Sequence, residues 1–240
     1  MRPAGGQTPL VCALAAMSRQ LELLDARSAA AAAQKRPEEL ERPGLRLRHA
    51  RGWLADAEAA RQELMTEVPW QQEHITLWGQ THPLPRLTCW MADPGCIYTY
   101  SGLRNAPSPW TPAVSRLRDL VQAEAGCRFN SLLLNLYRDG RDRMGWHADD
   151  EPELDPEAPI ASLSLGATRV FQLRPREPMA GQRQTLSLDL ADGDLLLMDP
   201  PTQQHWLHQL PARRRVCEPR LNLTFRVLRP RGLGAAANRR

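Results

Sequence analysis

The chain has 240 residues, enough for one sizeable domain with tails and too few for two full-sized cores. Its net charge of +4 is carried almost wholly by arginine rather than lysine, which is compatible with an anionic partner but does not require one. No stretch is long and apolar enough to span a bilayer, which excludes an integral membrane protein. The cysteines are odd in number and form no CxxC pair, so a reducing, cytoplasmic setting is expected.

The first 44 residues are predicted to form an N-terminal extension, disordered or loosely helical. They mix glycine, proline and an alanine block at Ala29–Ala33, and their apolar positions are too few to pack a core. An ordered domain is expected over residues 45–229, because Leu45-Arg46-Leu47 starts an alternating pattern. Residues 230–240 are expected to be a C-terminal tail.

Two helices and a series of strands are predicted within this domain. The helices cover Ala55 to Val68, which ends before Pro69, and Pro112 to Ala125, which carries apolar residues on one face. Many strands after early helices indicate an α+β protein whose sheets form a sandwich or barrel. The strands are predicted from short alternating or apolar segments: Ile75 to Trp78, Ile97 to Tyr100, Ser131 to Tyr137, Ile160 to Leu165, Val170 to Leu173, Gln184 to Leu188, Asp194 to Met198 and Arg220 to Leu228.

A possible metal site begins at His147-x-Asp149. In an extended segment, residues two apart point the same way, so this imidazole and carboxylate can converge on one ion. A further histidine, His208, follows a later strand. Two histidines and one carboxylate form a facial triad, which leaves three positions of a non-haem iron open. Taken alone, the same pattern also describes a solvated loop and a surface histidine.

The segment Arg220–Arg226 alternates strictly between polar and apolar residues. In one interpretation the polar face meets water, as in many antiparallel sheets. In the other it lines the mouth of a barrel, where two buried guanidinium groups would require an anionic partner such as a dicarboxylic acid.

These motifs together resemble the AlkB family. NxY at Asn135 and Tyr137, HxD, a downstream histidine and RxNxTxR occur there in the same order, and the similarity extends from about Leu45 to Leu228. The resemblance implies a double-stranded β-helix, or jelly-roll, core with flanking N-terminal helices. It also implies a nucleotide-recognition lid at about residues 70–110.

The resemblance further implies the residues of an iron site and a co-substrate site. The Fe(II) ligands and catalytic residues would be His147, Asp149 and His208. His208 is preferred to His205 because the family places the ligand before a polar-Leu-Pro turn, here Gln209-Leu210-Pro211. The residues that hold 2-oxoglutarate would be Asn135, Tyr137, Arg220, Asn222, Thr224 and Arg226. With O2, such a site demethylates 1-methyladenine or 3-methylcytosine in DNA, releasing formaldehyde, succinate and CO2.

Substrate contacts are expected from the lid and from the acidic residues beside the iron ligand. Trp78 would fill the gap left in the stack, and Tyr100 would sandwich the extruded base opposite His147. The full set is Trp78, Tyr98, Tyr100, Ser101, Asp150 and Glu151. The alternatives are a half-buried core position for each aromatic residue and a plain solvated turn for the acidic pair.

Three functional hypotheses remain open from the sequence. The first is a monomeric DNA demethylase without a membrane partner. The second keeps the iron core but acts on RNA or on a substrate that is not a nucleic acid. The third is a non-catalytic nucleic-acid-binding module, against which the two arginines of the diacid clamp argue.

Overall fold

A computed structural model of the chain describes residues 36–77, 79–96, 98–100, 103–105, 107–177 and 185–229. The described strands form a seven-stranded sheet, called the large sheet, a four-stranded sheet, called the small sheet, and two hairpins. The strands are β1 Glu38–Arg42, β2 Leu45–Ala50, β3 His74–Leu77, β4 Gln80–Pro83, β5 Leu87–Ala92, β6 Tyr98–Tyr100, β7 Leu103–Asn105, β8 Ser131–Tyr137, β9 Met144–His147, β10 Ile160–Gly166, β11 Arg169–Pro175, β12 Leu186–Leu190, β13 Leu195–Asp199, β14 Trp206–Leu210 and β15 Arg220–Arg226.

Antiparallel pairing builds both sheets. The large sheet has the order β1-β2-β13-β10-β15-β8-β5, and the small sheet has the order β12-β11-β14-β9. The hairpins are β3-β4 and β6-β7. Together the large and small sheets form the predicted jelly-roll, and the helices cover one face of the large sheet.

The apolar core has two parts, because the strands of the large sheet are buried on both faces. One part packs the large sheet against the helices, with Leu132, Leu223 and Phe225 among its members. The other part lies between the two sheets and includes Leu47 and Phe171. The period of two residues along a strand sends alternate side chains to these two places.

The helices are α1 Ala57–Glu67, α2 Pro112–Ala125 and the single turn α3 Thr202–His205. Helix α2 has the predicted bounds because both ends carry strong signals. The Thr111 hydroxyl accepts from the backbone N–H of Val114 at 3.3 Å, and Pro112 occupies the first turn. Gly126 ends the helix with a left-handed φ of 65°.

The large sheet begins before the position predicted from the sequence. β1 lies within the segment predicted to be an extension, and it pairs with β2 along its whole length, from Glu38 opposite His49 to Arg42 opposite Leu45. Its residues are mostly exposed and charged, as in an edge strand, so hydrophobic patterning did not reveal it. No helix in the described part of the chain is long and apolar enough to cross a membrane.

Candidate active site

The three predicted metal ligands lie together at one end of the small sheet. β9 carries His147 and β14 carries His208, and the antiparallel pairing places these residues directly opposite each other. Their ring centroids are 4.1 Å apart. Asp149 follows β9 by two residues, and one potential ligand atom from each of the three residues lies within 4.8 Å of the others. His205 is exposed at the end of α3 and is not in this group.

Local hydrogen bonds and burial prepare both histidines to bind a cation. Nδ1 of His147 lies 2.8 Å from the carbonyl oxygen of Gly145, which can only accept, so Nδ1 is the donor and Nε2 is the nitrogen left to face a metal ion. Burial, followed by the charge of His147, lowers the pKa of His208 to about 3. Its imidazole is therefore neutral at physiological pH, as metal binding requires.

Asp149 is a buried carboxylate that stays ionised. Burial alone would raise its pKa, but Arg226 and then the two histidines act in the opposite direction, and the net pKa lies below the ordinary value. Nη2 of Arg226 donates to Oδ1 of Asp149 at 2.7 Å. The backbone N–H of Asp149 donates to the side-chain oxygen of Gln203 at 3.0 Å, which fixes the turn after β9.

A cavity between the two sheets, called the inner cavity, extends from this cluster along the polar face of β15. The alternation of β15 therefore places its polar residues inside the fold, while Leu221, Leu223 and Phe225 pack toward the helices. The inner cavity brings together all nine predicted iron and 2-oxoglutarate residues: Asn135, Tyr137, His147, Asp149, His208, Arg220, Asn222, Thr224 and Arg226.

Arg220 is a buried cation without an ionic partner among the described residues. It is 1% exposed, and its Nη2 donates to the Ser164 hydroxyl at 2.9 Å. Its Nε has no hydrogen-bond partner in the described part of the chain. Burial lowers its pKa to about 10, which still leaves it protonated at neutral pH. A buried, incompletely bonded guanidinium is stabilised by an anion, and a carboxylate fits this requirement.

Tyr137 lies between two guanidinium groups. Its ring centroid is 5.6 Å from Cζ of Arg220 and 5.9 Å from Cζ of Arg169. Burial raises the pKa of Tyr137 despite these neighbouring cations, so its phenol stays protonated and can donate a hydrogen bond to an acceptor in the inner cavity. Asn222 is already used within the fold, because its Nδ2 donates to the Ser162 hydroxyl at 2.8 Å.

A second cavity, called the outer cavity, adjoins the first and shares His147, Asp149 and Arg226 with it. Glu151 lines the outer cavity. Asp150 does not line it, and its carboxylate pairs with Arg176 at 2.6 Å. The remaining predicted substrate contacts receive no structural placement: Trp78 and Ser101 lie outside the described residues, and only the backbone of β6 is described for Tyr98 and Tyr100.

Two buried arginines near these cavities were missed by the sequence analysis. Arg169 is 1% exposed and donates to the carbonyl oxygens of Asp139, Asp142 and Pro211. Arg86 is buried and lines the outer cavity. A signal was available for Arg169, which alternates in phase with Phe171 and Leu173. Arg86 gave none, because the apolar phase of its segment is that of Leu87, Cys89 and Met91. A cation in phase with an inward-facing pattern indicates a buried guanidinium.

The chain matches known proteins over most of its length. The family model described as the 2OG-Fe(II) oxygenase superfamily matches residues 46–226. The DNA oxidative demethylase ALKBH2 of Mus musculus is 44% identical over 184 residues, which cover 73% of this chain and 77% of the mouse protein. The Homo sapiens protein of that name is 42% identical over 181 residues, which cover 72% of this chain and 69% of the human protein.

A second group of relatives carries a different name. The alpha-ketoglutarate-dependent dioxygenase alkB homolog 3 of Bos taurus is 39% identical over 188 residues, which cover 76% of this chain and 65% of the bovine protein. The solved structure of OsALKBH1 superposes with a TM-score of 0.50 at 21% identity, covering 78% of this chain and 99% of that one. This structural likeness supports the fold.

Proposed function

Because the chain belongs to the 2OG-Fe(II) oxygenase superfamily, and within it to the AlkB family, we propose that it is a dioxygenase that demethylates N-alkylated bases in DNA. One observation carries this proposal. Ligand atoms of His147, Asp149 and His208 lie within 4.8 Å of one another, and they line the same cavity as the buried Arg220. A cation site beside a buried guanidinium is the arrangement that Fe(II) and the diacid 2-oxoglutarate require.

The residues present fit both groups. His147, Asp149 and His208 would hold Fe(II), since their donor set is two imidazoles and one carboxylate. When bound, Fe(II) with 2-oxoglutarate and O2 supplies the oxidising chemistry, in which the co-substrate becomes succinate and CO2 and the methyl group leaves as formaldehyde.

The chain's own residues would bind and orient the co-substrate. Arg220 would form an ion pair with one carboxylate of 2-oxoglutarate, and the Tyr137 hydroxyl would donate a hydrogen bond to the same carboxylate. Arg226 would keep Asp149 ionised and aimed at the cation. Asn135, Asn222 and Thr224 complete the polar wall of the inner cavity. These groups are fixed before the ligand arrives, which reduces the entropic cost of binding.

The outer cavity would receive the methylated base beside the three metal ligands. 1-methyladenine and 3-methylcytosine carry a positive charge, and Glu151 in the cavity wall would stabilise that charge or accept from an exocyclic amine. Asp150, which is paired with Arg176, would act on the charge of the base from a greater distance than Glu151. We propose that Trp78 acts as the wedge in duplex DNA, and that Tyr98, Tyr100 and Ser101 form the lid over the base.

The names of the relatives support DNA as the substrate. The mouse and human proteins are named DNA oxidative demethylases, and they align with 73% and 72% of this chain. The exposed arginines of residues 213–215 would provide phosphate contacts near this site. The working form would be a monomer in the cytoplasm, with RNA as the alternative nucleic acid.

The first test is the anaerobic addition of Fe(II) and 2-oxoglutarate to the whole chain. The expected result is a visible metal-to-ligand charge-transfer band, which His147→Ala abolishes together with succinate production. Duplex DNA affinity should stay within a few-fold in this variant, because phosphate contacts supply most of the affinity for a duplex and the substitution does not touch them. A chain without this band would instead be the non-catalytic binding module.

The second test separates the substrates. Formaldehyde release is measured with 1-methyladenine and 3-methylcytosine in single- and double-stranded DNA and RNA. The proposal expects turnover on DNA, and turnover on RNA alone would contradict it. Trp78→Ala should reduce repair of duplex DNA far more than repair of single strands, since only a duplex leaves a gap to fill.

A further inference from the structure

Arg86 lies in the wall between the two cavities. Arg86 lines the outer cavity and is absent from the lining of the inner one, whereas Asn135 lines the inner cavity and is absent from the lining of the outer one. Nε of Arg86 donates to Oδ1 of Asn135 at 2.8 Å. Both residues are buried, with exposed fractions of 6% and 2%. This hydrogen bond therefore connects the space proposed for the base with the space proposed for 2-oxoglutarate.

The hydrogen bond also fixes the orientation of the Asn135 amide. Because Oδ1 accepts from Arg86, the donor group Nδ2 is the end that remains for a ligand in the inner cavity. A flipped amide would place two donors against each other and would be disfavoured. Arg86 therefore acts on the inner cavity through Asn135, without lining it.

The other end of Arg86 is available to the outer cavity. Within the described part of the chain, its side chain makes no hydrogen bond other than the one to Asn135. A buried guanidinium with unused terminal N–H groups is stabilised by an acceptor. Ring acceptors of a methylated base suit this position, namely O2 of a pyrimidine or a ring nitrogen of a purine. Glu73 and Glu151 line the same cavity, so the charge of Arg86 does not make the cavity repel a cationic base.

We propose that Arg86 is a positioning residue that couples occupation of the outer cavity by the base to binding of 2-oxoglutarate in the inner cavity. This inference rests on the proposed function. A base acceptor on the terminal nitrogens holds the guanidinium in the orientation in which Nε fixes Asn135. Each ligand then lowers the ordering cost of the other, so the coupling is positive and reciprocal.

The experiment measures the Kd of 2-oxoglutarate by anaerobic titration of the Fe(II)-loaded full-length chain, with the charge-transfer absorption as the readout. The titration is made with and without a saturating single-stranded oligonucleotide that contains one 3-methylcytosine. Because no O2 is present, the readout does not depend on turnover. The unsubstituted chain is expected to bind 2-oxoglutarate about 5-fold more tightly in the presence of the oligonucleotide.

Substitutions at position 86 should remove this difference. Arg86→Met lacks both the Nε donor and the terminal donors, and it should reduce the change to less than about twofold. Arg86→Lys keeps the charge but has a single head group, which cannot donate to Asn135 and to the base with the fork geometry of arginine. It should also lose the coupling. The control Arg51→Met removes an exposed arginine that pairs with Glu38, and it should retain the 5-fold effect.

Each outcome has one meaning. If the band forms and the oligonucleotide binds, but Arg86→Met keeps the full effect, the coupling role is refuted and the proposed function stands. The same conclusion follows if the unsubstituted chain shows no effect. If no band forms in the unsubstituted chain, the proposed function itself fails. A cooperative thermal transition confirms that each variant is folded, and Arg86→Lys supplies the test should Arg86→Met not fold.

Discussion

Nη2 of Arg226 donates to Oδ1 of Asp149 at 2.7 Å, and this contact joins β15 of the large sheet to the turn after β9 of the small sheet. Both side chains are less than a tenth exposed. The contact has two effects. It favours the ionised form of Asp149, and it fixes the orientation of the Asp149 carboxylate.

Arg226→Met should weaken metal binding even without 2-oxoglutarate. The variant removes the charge that holds the pKa of Asp149 low and the hydrogen bond that orients it, and loss of such a partner typically costs about 10- to 100-fold in metal affinity. Anaerobic calorimetry with Fe(II) measures the change. An affinity equal to that of the unsubstituted chain would show that Asp149 needs no support from Arg226.

His208→Ala and His205→Ala form a matched pair, because the two histidines are three residues apart and only His208 lies in the ligand group. His208→Ala should reduce Fe(II) affinity by more than about 100-fold, since it removes a ligand of the triad. His205→Ala should leave the affinity unchanged. The same calorimetric titration serves both variants, and the opposite ranking would move the ligand to position 205.

Arg220→Met should weaken 2-oxoglutarate binding without weakening the fold. A charge-assisted hydrogen bond contributes about 2 kcal/mol, which corresponds to about a 30-fold rise in Kd. The ligand-free protein should be at least as stable, because the variant removes a buried cation whose Nε has no partner among the described residues. Charge-transfer titration and urea unfolding measure the two quantities. Unchanged affinity would place the diacid elsewhere.

Gly140→Ala should destabilise the chain by about 3 kcal/mol through overpacking. The backbone N–H of Gly140 donates to the carbonyl of Val216, and the N–H of Arg213 donates to the carbonyl of Gly140. A Cβ added here would overlap the carbonyl oxygen of Arg213, so the two loops would have to separate. Gly145→Ala is the control, because a Cβ there meets nothing within 4 Å. Equal urea midpoints for the two variants would contradict the prediction.

Asp194 should contribute stability that depends on pH. Burial alone would raise the pKa of Asp194, but hydrogen bonds from His49 and from the backbone N–H groups of Ala191 and Gly52 outweigh burial, and the net pKa lies below the ordinary value. The contribution is therefore complete above the unfolded pKa of about 3.9 and is lost as the pH falls through the lower folded pKa.

Asp194→Asn tests this dependence by urea unfolding at pH 7 and pH 3. At pH 7 the variant should be less stable than the unsubstituted chain by about 2 kcal/mol, because a buried charged acceptor is replaced by a weaker one. At pH 3 the difference should be smaller. A difference of the same size at both values would mean that the charge of Asp194 contributes nothing.

The sequence predicted those elements in which polar and apolar residues follow the regular period of a strand or a helix. The strict alternation of Arg220–Arg226 predicted a strand with one polar face, and the family motif added that this face lines a diacid site. The observed register places Arg220 opposite Tyr137 and Asn222 opposite Asn135, which brings the two co-substrate motifs side by side. Helix α2 was predicted to the residue because its apolar face and both caps agree.

Other features were beyond the reach of the sequence for physical reasons. β9 and β14 carry the two histidines, and their polar ligand residues interrupt the apolar pattern by which strands are recognised. The contact of Arg86 with Asn135 joins residues 49 positions apart, and no local period encodes such a pair. The partner of Asp150 was also unexpected, because Arg176 lies beyond the next two strands.

The division of the site between the two layers has a consequence for how the protein responds to its ligands. Both histidines belong to the small sheet, while Arg220 and Arg226 belong to the large one. A metal ion and a diacid bound between the two sheets would therefore be contacted by both and would hold them together. We expect the loaded protein to resist heat and proteases at the interface of its layers, and loss of either ligand to loosen that interface before the helices melt.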